Sequence, residues 1–216
     1  VAAALSSADL SGANLSGAAF TTTVLEDAAD ACTWEAIART YESADVALSE
    51  AITYDEGREE ITTFTDGVRS TYFIEDLGEV FAWDSIERTY DAEGRKLQQI
   101  RTNYDDRIDT TNYGAEGVIL SKGRSYDDGR EEITTFANGV RSTYLIEDLD
   151  DEFTWRSIAR TYDAEGRNLQ QIRINDNDRV DTTTYNTAGV CSTYLIEDLG
   201  EVCTRAIIAH TYESVS

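Results

Sequence analysis

Residues 54–113 read YDEGREEITTFTDGVRSTYFIEDLGEVFAWDSIERTYDAEGRKLQQIRTNYDDRIDTTNY, and residues 126–185 read YDDGREEITTFANGVRSTYLIEDLDDEFTWRSIARTYDAEGRNLQQIRINDNDRVDTTTY. The two stretches align without a gap, with about three residues in four identical. A catalytic machine built around one site does not come in near-duplicate, whereas stacked structural units do. A shorter element extends the pattern to both ends of the chain. Ile74-Glu75-Asp76-Leu77…Phe81-Ala82-Trp83…Ile86 recurs as Ile146-Glu147-Asp148-Leu149…Phe153-Thr154-Trp155…Ile158. It recurs again as Leu25-Glu26-Asp27-Ala28…Cys32-Thr33-Trp34…Ile37 and as Ile196-Glu197-Asp198-Leu199…Cys203-Thr204-Arg205…Ile208. Degenerate outer copies suit an array, because a terminal unit lacks one neighbour against which to bury its apolar side chains.

Within each copy, turn-forming residues punctuate the chain at short intervals: Asp55–Arg58, Asp66-Gly67, Asp91–Arg95, Asp127–Arg130, Asn138-Gly139 and Asp163–Arg167. Asp, Asn and Gly tolerate the left-handed backbone of tight hairpins. Between the turns lie β-prone runs, Glu60–Phe64, Arg69–Ile74, Ile86–Tyr90, Leu97–Arg101 and Ile108–Tyr113. Thr and Gln stand where a two-layer sandwich would carry Leu or Val, so the pattern predicts a meander with one modest apolar face. The chain has no Pro, as an uninterrupted ladder requires. The Glu-Asp-Leu…Phe-x-Trp element breaks the strand rhythm and reads as a short helical or irregular crossover carrying buried aromatics. The expected fold is therefore all-β: repeated antiparallel hairpins joined by short Trp-containing helical crossovers. Residues 1–25 form a cap, and residues 26–216 form the array.

The net charge of −24 repels nucleic acid and anionic membranes, and also sulfated or carboxylated glycans unless cations bridge the contact. No apolar run approaches the length of a bilayer span, so membrane insertion is not expected. The chain starts at Val1 without a Met and reads as a processed piece of a longer protein with neighbouring domains. The three cysteines, Cys32, Cys191 and Cys203, include no CxxC pair, which argues against zinc and against a disulfide scaffold. Cys32 and Cys203 occupy the slot of Phe81 and Phe153 and read as small buried hydrophobes, with a Cys191–Cys203 bridge as the alternative.

The only His, His210, stands where other copies carry Arg39, Arg88 and Arg160, with no nucleophile motif around it; no catalytic residue is expected. The candidate ligand platforms are Trp34, Trp83 and Trp155 with Tyr90 and Tyr162, since aromatic faces stack on sugar rings. Two oxygen-rich runs are candidate calcium sites through Asp105, Asp106 and Asp109, and through Asp176, Asp178 and Asp181. Turn chemistry, with Arg107 and Arg179 pairing those carboxylates, is the competing reading.

Two stretches carry a family resemblance. Ala8-Asp-Leu-Ser-Gly12 and Ala13-Asn-Leu-Ser-Gly17, centred on Leu10 and Leu15, resemble pentapeptide repeats, which implies a short β-helix turn at the N-terminus. Tyr90-Asp-Ala-Glu-Gly-Arg95 and Tyr162-Asp-Ala-Glu-Gly-Arg167 resemble the core of YD repeats of rearrangement-hotspot and teneurin-type proteins, with Tyr54–Arg58 and Tyr126–Arg130 as shortened versions. That resemblance implies β-hairpins on a large secreted or surface protein of bacterial type. The sequence departs from it in unit length and in the intercalated Trp element. The expected role is a non-catalytic, extracellular or cell-surface module that serves as scaffold or adhesive surface toward a polysaccharide or another surface protein. The alternatives are a carbohydrate-binding module of a larger polysaccharide-active protein, and a polysaccharide lyase or hydrolase.

Overall fold

In the computed structural model of the protein, the described residues are 23–27, 33–43, 46–198 and 207–211. They fall into two compact units. The first holds β1 (Thr23–Glu26), β2 (Trp34–Ser43), β3 (Val46–Tyr54), β4 (Arg58–Thr65), β5 (Val68–Asp76), β6 (Ser85–Tyr90) and β7 (Lys96–Thr102). The second holds β8 (Ile108–Tyr113), β9 (Ile119–Ser125), β10 (Arg130–Ala137), β11 (Val140–Asp148), β12 (Trp155–Tyr162), β13 (Asn168–Asn175), β14 (Arg179–Tyr185), β15 (Cys191–Asp198) and β16 (Ile207–Thr211). Within each unit the strands lie side by side in chain order, every neighbouring pair antiparallel. Within each unit the main strand contacts are between strands adjacent in the chain. Each unit is thus an open meander, all-β as the turn rhythm predicts.

The turns form for the reasons visible in their residues. Asp66 and Gly67 both have positive φ, 51° and 77°, the requirement of a two-residue hairpin that continues the strand twist, and Asn138-Gly139 repeats it. In the Asp-Ala-Glu-Gly-Arg turn, the Asp91 carboxylate accepts the N–H groups of Glu93 and Arg95 at 3.0 and 2.8 Å, and Asp163 does the same for Glu165 and Arg167.

Two expectations are corrected. The Trp elements are not helical crossovers: apart from one 3-10 turn at Ala115–Gly117, the described residues contain no helix. Residues 77–84 and 149–154 are irregular loops joining neighbouring strands, organised by the carboxylate at the end of the preceding strand. Asp76 accepts the N–H groups of Val80 and Phe81 at 3.1 and 2.6 Å; Asp148 accepts those of Glu152 and Phe153 at 3.2 and 2.7 Å. Saturating those donors from one side chain holds the loop closed without an i to i+4 ladder. The expected pentapeptide cap lies outside the described residues except at its end, where Thr23–Leu25 belong to β1, paired with β2 rather than coiled into a β-helix.

Register assigns each side chain to a face, since directly opposed residues share one and consecutive residues alternate. In the first unit one face carries the row Leu25, Ile37, Ile52, Glu60, Ile74, Ile86, Arg101, beside a row that includes Arg39, Glu50, Thr62, Tyr72, Arg88 and Gln99. The other face carries Val24, Ala38, Ala51, Ile61, Phe73, Glu87, Ile100, beside a threonine row. The apolar content is therefore split between both faces instead of forming the single apolar face expected. Ile74 and Ile146, each 8% exposed, are the only buried hydrophobic residues among those described.

Full burial of an Ile contributes only about 1.5–3 kcal/mol, so two of them cannot carry the fold. Cross-strand pairs, at roughly 0.2–1 kcal/mol each, are spread along the whole ladder. The Thr63–Thr71 and Thr135–Thr143 hydroxyl pairs, both 2.6 Å, are examples.

Candidate functional site

The faces differ in charge. Every Lys or Arg with a register partner stands on one face of its unit: Arg39, Arg58, Arg69, Arg88, Lys96 and Arg101 in the first, and Lys122, Arg124, Arg130, Arg141, Arg160, Arg173 and Arg179 in the second. On the opposite face the charged residues at such positions are all acids, Glu26, Glu59, Glu75 and Glu87, then Glu131, Glu147 and Glu197. A bulge brings Arg69 into this pattern. Ser70 and Thr71 both reach Thr63, at 2.9 and 2.6 Å, so Arg69 pairs with Phe64 and turns to the arginine face; Arg141 follows through Ser142, Thr143 and Thr135.

On the arginine face tyrosines and arginines interleave. Arg69 and Arg88 lie 5.5 and 5.2 Å from the centre of the Tyr72 ring, and Arg69 lies 5.7 Å from Tyr90. The second unit repeats this with Arg160 over Tyr144 at 5.5 Å and Arg141 over Tyr162 at 5.4 Å. Nε of Arg88 donates to Oε1 of Gln99 at 3.0 Å, and Nε of Arg160 to Oε1 of Gln171 at 2.8 Å. Burial, then the nearby Glu60 charge, pushes the Tyr72 phenol up to about 12; burial, then Glu132, raises Tyr144 as well. Both rings are neutral phenols at physiological pH.

Of the residues singled out in the sequence, Tyr90 and Tyr162 belong to this Tyr–Arg arrangement. The tryptophans do not join them. Trp83 and Tyr90 lie beyond and at opposite ends of β6, as Trp155 and Tyr162 mark the two ends of β12, so no single platform combines them. Trp83 stacks on Phe81 at 5.0 Å and Trp155 on Phe153 at 5.2 Å. Phe153 also faces Arg130, 5.5 Å away, which in turn lies 4.2 Å from Tyr126. These rings are engaged in holding their loops. Trp34 opens β2 opposite Tyr54.

The candidate calcium runs are turns whose carboxylates meet arginines. Asp109 pairs with Arg124 at 2.8 Å and Arg107 at 3.4 Å, and Asp105 with Arg107 at 3.6 Å. Asp178 pairs with Arg156, and Asp181 with Arg179 at 2.8 Å and with the Asn175 amide at 3.3 Å. Asp106 and Asp176 are exposed turn residues. No cluster of three or more His, Cys, Asp or Glu suited to a metal occurs among the described residues.

Cys191 is a half-buried thiol whose Sγ lies 3.6 Å from the Thr193 carbonyl; Cys32 and Cys203 are outside the described residues, and with them the proposed bridge. His210 takes the register position of Arg88 and Arg160, opposite Tyr194.

The concave features are shallow and open. One of about 260 Å³ lies between the turns at Asp66 and Asp91, with Arg69 and Tyr90 in its lining. Another of about 340 Å³ surrounds Gly123 on β9, lined by Asp109, Lys122, Arg124, Glu132, Arg141 and Tyr144. The segregation of charge between faces, and with it the role of Arg69, Arg88, Arg141 and Arg160, is missed by a reading of the sequence; the Ser-Thr bulge was the signal that could have revealed it. No family model matches the chain, and no curated protein is similar enough to it to count as a relative.

Proposed function

We propose that the protein is a non-catalytic, secreted or cell-surface repeat module that serves as a scaffold and adhesive surface, of the kind YD-like hairpins build. The observation that carries this reading is the recurrence, in the two full copies, of the same Tyr–Arg and Arg–Gln arrangements on an open sheet face. Equivalent shallow sites suit weak, repeated contacts whose strength comes from avidity. A second reading, a carbohydrate-binding module attached to a larger polysaccharide-active protein, draws on the same face, because tyrosine rings beside charged forks suit sugars.

A polymer array probed with the full chain, with and without Ca²⁺, tests both. Retention that grows with polymer length, at constant polymer size over time, is the expected result. Shortening of any polymer would contradict the non-catalytic reading.

A further inference from the structure

Four strands occupy equivalent places before a carboxylate-rich turn. β3, β7, β9 and β13 each run into a turn that closes on an arginine, Arg58, Arg107, Arg130 and Arg179. Three residues before Tyr54, Asn103, Tyr126 and Asn175, which open those turns, stand Ala51, Ile100, Gly123 and Ile172. Of the four, only β9 lacks a side chain there. Gly123 has no positive φ, and a Cβ on it would meet Thr110 Cβ at 3.7 Å and the Glu132 carbonyl oxygen at 3.9 Å, both ordinary contacts. Neither backbone conformation nor crowding requires glycine, which weakens a strand interior and marks places of close approach.

The missing side chain opens a gap in an apolar row. Ala51 faces Ile61, which is half-buried; Gly123 faces the equivalent Ile133, which is 40% exposed. On its other side Gly123 faces Thr110. The result is an open depression of about 310 Å³ on the face opposite the arginines. Register arranges three kinds of group across it. Glu131 stands at one side, Ile133 and the bare Gly123 backbone form the middle, and Ser121 opposite Asn112 forms the far side. Asn112 Nδ2 donates to Ser121 Oγ at 2.9 Å, an acceptor role that leaves the serine its own proton to donate. Arg124 and Glu132 also border the depression, but their side chains lie on the arginine face, where Arg124 pairs with Asp109 at 2.8 Å.

We propose that this depression takes a lysine side chain of a partner protein, with its ammonium at Glu131, its stem over Gly123 and Ile133, and its peptide unit at Ser121 and Asn112. The proposal goes beyond the adhesive reading of the Tyr–Arg face and does not depend on it. The order acid, apolar, polar matches the order ammonium, methylene stem, peptide in a lysine residue. Glu131 and Ile133 alternate on one strand and so stand about 6.8 Å apart, within reach of a four-carbon stem. A slot one side chain wide, walled by β8 and β10, suits a slim stem with a compact head better than a planar guanidinium. The charged residues with register partners on this face are all acids, so an incoming cation meets attraction without a competing arginine.

The Gly123 and Ile133 amide shifts of the full chain, titrated with Nα-acetyl-lysine methylamide, test this. The norleucine derivative keeps stem and peptide but lacks the ammonium, and butylammonium lacks the peptide. The expected result is saturable perturbation by the lysine derivative, with affinity about fivefold or more above that of either truncated probe. Gly123→Ile places in β9 the residue of β7 and β13. It is expected to abolish the perturbation at Ile133, with an unfolding midpoint unchanged or raised. Glu131→Gln is expected to bring the lysine derivative down to the affinity of the norleucine derivative. Glu59→Gln, at the equivalent position of β4 where Ala51 fills the row, is expected to bind as the parent does.

Equal binding of the norleucine derivative would overturn the ammonium position. Butylammonium binding as tight as that of the lysine derivative would assign the slot to free amines and overturn a partner lysine. Perturbation by no probe, or lysine binding unchanged in Gly123→Ile, would overturn the site itself. Polymer retention by the opposite face is untouched by each of these results, so the two readings fail separately.

Discussion

The loop that follows β5 and the loop that follows β11 start from the same Ile-Glu-Asp-Leu residues and are held in different ways. After β5, Gly78 lies so close to the turn before β4 that a Cβ on it would meet the Glu56 carbonyl oxygen at 2.0 Å. After β11, the equivalent residue is Asp150, whose side chain packs over Gly129, and the loop is tied instead by the Leu149 N–H donating to the Gly129 carbonyl at 3.1 Å. The far side of the first loop is secured by the Tyr104 hydroxyl, which donates to the Asp76 carbonyl at 2.8 Å. In the second copy Asp176 replaces that tyrosine, and Arg156, standing where the first copy has Asp84, pairs with Asp178. Common to both is the carboxylate of Asp76 or Asp148. The conserved core of a copy is thus the strand ladder and this one acceptor, while the outer ties are interchangeable.

The sharpest break of this comparison is Gly78→Asp, which gives the first loop the residue of the second without the rest of its arrangement. The overlap with Glu56 predicts a loss of about 2–3 kcal/mol in urea unfolding, whereas Asp150→Gly in the second copy is expected to be far milder. Next come Asp76→Ala and Asp148→Ala. Each leaves two loop N–H groups without their acceptor, and both are expected to lower the unfolding midpoint, to a similar extent if the acceptor is the shared element.

The pH dependence of Asp76 has a defined sign. Burial alone would raise its pKa, but the N–H groups of Phe81 and Val80 and the Tyr104 hydroxyl more than offset this and hold it below the usual value. Its contribution is therefore present above the ordinary carboxylate range and lost as pH falls through the depressed folded value, and Asp76→Asn should flatten the acid limb of a stability profile. At the other extreme, Tyr72 titrates at about 12 in the fold against 10.0 when unperturbed. Stability should decline as pH rises from the lower value through the higher, and Tyr72→Phe should remove that decline. The smallest expected effect is that of Arg156→Ala, an exposed pair worth no more than about 1 kcal/mol.

Much of this fold is legible in the residues. Asp66-Gly67, Asn138-Gly139 and the Asp-Ala-Glu-Gly-Arg turns announce hairpins because their backbone demands are local, and the strands between them follow. The Trp loops mislead because Leu77 and Phe81, four apart, mimic one face of a helix. The stacked pair is Phe81 and Trp83, two apart, the spacing of extended chain, and the deciding contact is a side chain-to-backbone bond from Asp76. The candidate site is only half legible. Tyr90 and Tyr162 are visible as aromatics, but strict alternation puts Arg69 on the wrong face until the bulge at Ser70 is known. The pairing of Arg88 with Gln99 depends on a register that no single strand encodes.

The central claim is that the two full copies fold into the same paired strands. Cross-strand nuclear Overhauser contacts in the intact chain test it most directly. The account predicts Glu60 opposite Ile74 and, equivalently, Glu132 opposite Ile146, with no helical contacts over residues 77–84. Different registers in the two copies, or helical contacts in those loops, would contradict it.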